Sequence, residues 1–466
     1  MRFTSHSILV CIVGAAAVAC GKVAPLDIDG AVPPPGTDGP VSTIDASGPD
    51  AAPVACTPST TVCDSRGHIV TCDATGKPSA DVDCALGCMT GTTTCSQMEV
   101  SNGLTRYLSI AAKSNVDLVF PTGHSTIKAS DGTVLINGAM QTVASEVVNG
   151  MRVFPVRSLN VVGQLAAIKN YSELDAPALV FVVAGDVTIS SSIDLSADTD
   201  APPPGSLKYE ASMAAGCVGG DGGGDNLLAS QKGGSGGGGG YHPGAVGGPS
   251  SAFPGGTAGK APFSETLIPL RGGCTGGKAP AGGYIVAAGG GAIQIVSTTK
   301  IELNGIGSID VGGGGGKATP WDSGMPGTGG GGGGAILLEA PTITLRGADV
   351  VLAAKGGGGG GTGVNVDGTA RAIGQNGQLG EAPAQGGVDN ASYLKGGNGG
   401  TALIAPTAGP GCGAATPCST PTTHGAGGGG GAGQVRFNTR DGNVSIIDGA
   451  KVRAYATNGT ITLQKP

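Results

Sequence analysis

GGGGGGAILLEAPTITLRGADVVLAAKGGGGGG, residues 329–361, decides how this chain is to be read. Between two glycine runs sit three short apolar pieces, Ile336-Leu-Leu338, Ile343-Thr-Leu345 and Val350-Val-Leu352. The middle piece alternates with a period of two, the mark of a strand with one buried face. The unit recurs. Gly289–Gly291 and Gly312–Gly316 bracket Ile293-Gln-Ile295, Ile301-Glu-Leu303 and Ile309-Asp-Val311, and Gly427–Gly431 precedes Val444-Ser-Ile446 and Val452-Arg-Ala454. Upstream, Val116-Asp-Leu118, Val134-Leu-Ile136, Leu159-Asn-Val161, Ala178–Val183, Val187-Thr-Ile189 and Ile193-Asp-Leu195 read the same way. No segment beyond the N-terminus shows apolar spacing near 3.6, so helices are not expected.

The units are separated by inserts of unequal length, Asp198–Gly291, Gly312–Gly334 and Gly356–Gly433. A fixed strand unit with variable inserts predicts an all-β chain built as a parallel β-solenoid or a related stacked-sheet domain, with a β-sandwich as the alternative. Aromatic residues are 3% of the chain, so the core must be aliphatic. Glycine supplies 92 of 466 residues. Its runs are either slack loops or packed side by side in polyglycine-II geometry, where three residues per turn and no side chains permit close approach. The expected boundaries are 1–19 for an export signal, 20–55 for a tether, 56–95 for a cysteine-rich module, 101–205 for a β-rich region and 206–466 for the glycine-rich repeats.

A positive start at Arg2 precedes the apolar stretch Ile8–Ala19, which is short of the ~20 residues of a membrane span and fits an export signal. Ala17-Val18-Ala19-Cys20 resembles the lipobox of bacterial lipoproteins, although leucine is commonest where Ala17 stands. By that resemblance Cys20 becomes the first mature residue and carries the acyl chains that anchor the protein. Gly21, rather than aspartate, then directs it to the outer membrane. Cysteine parity agrees, because losing Cys11 with the signal and acylating Cys20 takes twelve cysteines to an even ten. The Pro/Gly/Asp-rich stretch that follows cannot bury enough surface to fold alone and reads as a tether reaching at most ~110 Å.

Cys56, Cys63, Cys72, Cys84, Cys88 and Cys95 lack the paired short spacings of a zinc site and read as three disulfides of open connectivity. Cys217 with Cys274, and Cys412 with Cys418, read as staples for the glycine-rich part. The 56–95 module resembles small cysteine-rich repeats of exported lipoproteins from Gram-negative soil bacteria, in Val70-Thr71-Cys72-Asp73 and Gly87-Cys88. The chain as a whole resembles glycine-rich surface lipoproteins of the same bacteria.

Little of the sequence points to a reaction. The G-x-S-x-G at Gly233–Gly237 is low-complexity noise, lacking a strand-to-helix turn. His68, His124, His242 and His424 have no metal or triad spacing. Gly220–Leu227 resembles one degraded calcium-binding nonapeptide, which makes Asp221 and Asp225 weak calcium candidates. Asp194 and Asp310 fall at matching positions of equivalent strands and face outward, where stacked carboxylates can serve acid–base or calcium chemistry. Outward aspartate between inward apolar residues is also what any soluble strand shows, and that is the favoured reading. With 26 basic against 33 acidic residues, a net charge of −7 and no basic cluster, nucleic acid is not an expected partner. The expectation is an exported, lipid-anchored protein of the outer membrane or cell surface with a non-enzymatic structural or adhesive role. No catalytic residue, metal or cofactor is expected. Its partners would be the membrane, through Cys20, and extracellular polysaccharide or other surface proteins. The alternative is a carbohydrate-active protein that binds or cleaves polysaccharide.

Overall fold

The computed structural model describes residues 56–64, 67–88, 93–169, 176–223, 232–279, 286–317, 326–362, 372–388, 394–411 and 424–464. The expected signal, the tether, Cys20, Asp225, Cys412 and Cys418 lie outside these residues. Ala55–Pro466 forms one compact unit.

Three large sheets carry the fold, and successive passes of the chain visit them in the same order. The first stacks Met151–Val156, Ala178–Val183, Ala292–Ser297, Ala335–Glu339, Gln434–Thr439 and Tyr455–Thr460 in parallel, with Glu146–Val148 antiparallel at one edge. The second stacks Asp117–Phe120, Ser158–Val161, Val187–Ile189, Lys300–Leu303, Thr342–Arg346 and Ser445–Ile447. The third stacks His124–Lys128, Gln164–Ala167, Ser192–Asp194, Ser308–Asp310, Val351–Ala353 and Lys451–Arg453. It is extended by the antiparallel strands Thr133–Ile136 and Ala139–Gln141.

This corrects the expected all-β solenoid. The sheets are large, two of the three are mixed, and α-helices form at Arg106–Lys113 and Tyr209–Ala214. A period of two reports a pleat and not strand direction, so alternation could not separate the antiparallel strands from the parallel ones. Their direction comes from tight turns at Asn137-Gly138 and Asn149-Gly150, whose φ angles of 48°, 81°, 49° and 75° are all left-handed. The first helix is only eight residues long, too short for a sustained pattern, yet Leu104, Tyr107, Leu108 and Ala111 have helical spacing. A two-sheet sandwich does not describe the fold either, because inward residues of all three sheets fill a single core that includes Phe154, Leu159, Leu165, Ile295, Leu303, Ile309, Leu338, Leu345 and Leu352.

Several strands of the second and third sheets alternate buried with more exposed positions, as in Lys300–Leu303, Thr342–Arg346 and Gln164–Ala167. The first-sheet strands Ala178–Val183, Ala292–Ser297 and Ala335–Glu339 are buried on both faces. Their outer face carries a second core, where Met98, Leu104, Tyr107, Ala111, Leu267 and Leu270 cover Val180, Val296 and Leu337. That accounts for the unbroken apolar run Ala178–Val183.

The long inserts leave the third sheet and return to the first, and between the two they pack against one another. In the run 232–240 each amide in turn faces a different neighbour. Ser235 and Gly238 donate to Gly327 and Gly330 at 3.0 and 2.9 Å, Gly236 and Gly239 to Gly220 and Cys217 at 2.9 Å each, and Gly234 and Gly237 to Gly248 and Ala245 at 2.8 Å each. Every third residue returns to the same neighbour, the periodicity of an extended three-residue turn. The first of these neighbours runs parallel and the other two antiparallel. Gly425, Gly428 and Gly431 complete the pattern by donating to Lys232, Ser235 and Gly238 at 2.9 Å each.

Glycine is required here for space. None of the run glycines has a left-handed φ, but a Cβ on Gly237 would lie 1.9 Å from the Gly429 oxygen, and one on Gly332 would lie 2.1 Å from the Gly239 oxygen. The Cys217–Cys274 disulfide ties two of these segments together.

The N-terminal module is a three-stranded antiparallel sheet, Thr61–Cys63, His68–Cys72 and Pro78–Asp83, closed by Cys56–Cys72, Cys63–Cys88 and Cys84–Cys95. Met98–Glu99, which follows the module, pairs antiparallel with Thr462–Leu463.

Candidate functional site

The alternation that marked Asp194 and Asp310 also sets them side by side, since Ser192–Asp194 and Ser308–Asp310 pair in register with the two aspartates opposite each other. Both are half-buried on the outward face of the third sheet. Asp194 is well satisfied. Lys169 Nζ donates to its Oδ2 at 2.8 Å, and the backbone N–H and hydroxyl of Ser196 donate to Oδ1 at 2.9 and 2.7 Å. Asp310 accepts from the Gly312 N–H at 2.9 Å. Burial first, and the Asp194 charge second, push the Asp310 carboxyl up to about 7. One strand further on, Ala353 takes the equivalent position, so the carboxylate row stops at two. Lys355 is buried nearby, with Nζ donating to the carbonyls of Gly380 and Ala382. Burial and then the Arg453 charge bring its ammonium down to about 8.

The calcium reading of Asp221 gains no support from its surroundings. Its carboxylate accepts the Tyr209 hydroxyl at 2.8 and 2.9 Å and the Lys278 N–H at 2.8 Å, while the Lys278 ammonium lies 3.6 Å from the centre of the Tyr209 ring. Among the described residues no group of three or more His, Cys, Asp or Glu side chains could hold a metal.

The histidines have separate surroundings. His68 pairs with Asp81 at 2.7 Å, and His124 contacts Gln164 at 3.3 Å. His424 is buried, accepts the Lys232 N–H at 3.1 Å, and is brought down to about 4 chiefly by burial. His242 sits in an aromatic cluster.

That cluster is the feature the sequence did not announce. Tyr241 follows the glycine run 236–240, and Tyr455 opens the last first-sheet strand. Their rings stack with centroids 3.9 Å apart and planes 10° from parallel. His242 stands edge-on to both, at 5.3 and 5.7 Å. All three are half-exposed, whereas Tyr107, Phe120, Phe154, Phe181 and Phe437 are fully buried. Beside the rings Gln434 Nε2 donates to the Glu265 carbonyl at 2.8 Å and to the Thr457 hydroxyl at 3.0 Å. Arg436 Nη1 donates to the same carbonyl at 3.0 Å, and its Nε donates to Asn438 Oδ1 at 3.0 Å. Burial, the Tyr455 hydroxyl and the Glu265 charge together push the Tyr241 phenol well above its ordinary value, so it stays protonated. Only the position of Tyr241 directly after a glycine run, where its segment must reach the sheet, could have hinted at this pairing.

Two shallow clefts of about 530 and 510 Å³ adjoin each other at Asn149 and Pro269, lined chiefly by small and apolar groups such as Met151, Ala178 and Leu270.

The chain matches no protein-family profile, no curated protein and no solved structure. The described residues contain no helix long and apolar enough to cross a membrane.

Proposed function

We propose that the protein is an exported, lipid-anchored cell-surface scaffold with a structural or adhesive role and no catalytic function. The observation that carries this reading is the packed glycine body. Its buried amides are bonded in rotation to three neighbours, which suits a stiff element held away from a membrane more than a site that must open and close. The four disulfides among the described residues support an oxidising, extracytoplasmic location. The sequence supplies the anchor at Cys20 by resemblance, and the outer membrane or cell surface as the address. Growth on an alkyne-tagged fatty acid should label the wild-type protein and not the Cys20→Ala variant, and protease added to intact cells should degrade the wild type. Unlabelled protein resistant to protease on intact cells would count against the reading.

One observation favours a second reading, cleavage of polysaccharide, namely the paired carboxylates Asp194 and Asp310 with a proton held on Asp310 near neutrality. New reducing ends released from polysaccharide by the wild type but not by Asp310→Asn would support it.

A further inference from the structure

The Tyr241–Tyr455 surface has the makings of a ligand platform. In a chain with 3% aromatic residues, two tyrosines and a histidine from opposite ends of the glycine-rich region converge at the surface, while most of the other described rings fill the cores. The faces that Tyr241 and Tyr455 turn to each other are closed by their own stacking, so it is the outer face of the pair, with its partial negative charge, that would take up the apolar C–H face of a pyranose without requiring a charge on the sugar. The surrounding polar groups are already fixed. Gln434, Arg436 and the Thr457 hydroxyl all donate to the Glu265 carbonyl, so the exposed Glu265 side chain springs from a fixed stretch of backbone. Gln434 is fully buried, and its Oε1 has no hydrogen-bond partner among the described residues.

Charge then narrows the ligand. The accessible side chain at the rim is a carboxylate, the guanidinium of Arg436 is engaged by protein acceptors, and the whole chain carries −7, all of which disfavour a polyanion. We infer that Tyr241, His242 and Tyr455, with the Glu265 side chain, form a binding site for a neutral polysaccharide chain. This rests on the adhesive reading and gives it a ligand class.

The test is calorimetric titration of the full oxidised chain with glucohexaose, mannohexaose and galactohexaose, and with polygalacturonate as the acidic comparison. At least one neutral hexasaccharide should bind. Tyr455→Ala should weaken it tenfold or more, Tyr455→Phe by less than threefold, and Glu265→Ala, at an exposed side chain, by at least threefold. If Tyr455→Ala does not fold, Glu265→Ala and Tyr455→Phe decide the matter. No binding of any neutral sugar, binding of polygalacturonate alone, or unchanged affinity in the Ala variants that fold would overturn the inference. None of those outcomes bears on fatty-acid labelling or surface proteolysis, so the two readings fail separately.

Discussion

Replacing Gly237 by alanine is the sharpest probe of the glycine body. A Cβ there would stand 1.9 Å from the Gly429 oxygen, 2.4 Å from its carbonyl carbon and 2.9 Å from the Gly430 nitrogen, all backbone atoms that cannot rotate away. Ordinary contact needs more than 3 Å, so the 425–433 segment must retreat by more than about 1 Å. The bonds joining the two segments here, Gly428 N–H to Ser235 and Gly431 N–H to Gly238, are both 2.9 Å and would stretch beyond hydrogen-bonding range. Two buried donors without partners cost about 1–3 kcal/mol each, so the substitution should destabilise by about 2–6 kcal/mol.

Gly380 is the control. It is exposed, has no left-handed φ, and a Cβ there meets nothing within 4 Å. Alanine at 380 should be neutral or stabilise by about 0.5 kcal/mol, by restricting the unfolded chain. Urea unfolding of the oxidised chain measures both variants, and native-state hydrogen exchange shows whether 425–433 loses protection. Gly237→Ala within 0.5 kcal/mol of wild type, with exchange in that segment unchanged, would refute the close-packed reading.

Three further outcomes follow from the same geometry. The folded chain holds the Asp310 proton up to about pH 7 whereas an ordinary carboxyl loses it near 3.8, so the unfolded state binds fewer protons between these values and stability falls as pH rises through that window. Asp310→Asn abolishes this decline and should gain up to about 4 kcal/mol on the wild type between pH 4 and pH 8, and parallel pH profiles in urea unfolding would expose the error. Glu339 is buried and receives hydrogen bonds from Ser101 at 2.7 Å, Gln294 at 2.5 Å and Asn438 at 3.0 Å. Glutamine would set its amide against one of those donors, so Glu339→Gln should lower stability by about 1–3 kcal/mol and raise exchange in 98–104; a neutral result rejects the network as a clamp. Cys217 and Cys274 close a separation of 57 residues, and the double alanine variant should lose about 4 kcal/mol in urea unfolding, a loss under 1 kcal/mol being incompatible with that loop-closure argument.

What the sequence disclosed and concealed follows from where side chains carry information. Ile301-Glu-Leu303 and Ile343-Thr-Leu345 announced strands because alternation is written in side chains, and the pair stands in register as Ile301 with Ile343 and Leu303 with Leu345. Asp194 and Asp310 could be matched on the same grounds. Strand direction could not, as Thr133–Ile136 and Ala139–Gln141 show, nor could the three pairings of the N-terminal cysteines. The glycine runs were the least legible, since a residue without a side chain names no partner. Gly237 and Gly380 are the same letter in opposite surroundings. Tyr241 and Tyr455 meet because the glycine run ahead of Tyr241 delivers it to the edge strand that Tyr455 opens.

Because each amide in the glycine body returns to the same neighbour after three residues, and because a neighbour may run in either direction, the body is indifferent to extra length supplied in the right quantum. Lengthening a run by three residues leaves every downstream amide aimed as before, whereas one or two turn the whole remainder toward the wrong partner. In the gene, tolerated insertions and deletions within these tracts should therefore come in steps of nine nucleotides, a rhythm imposed by the geometry of the folded protein.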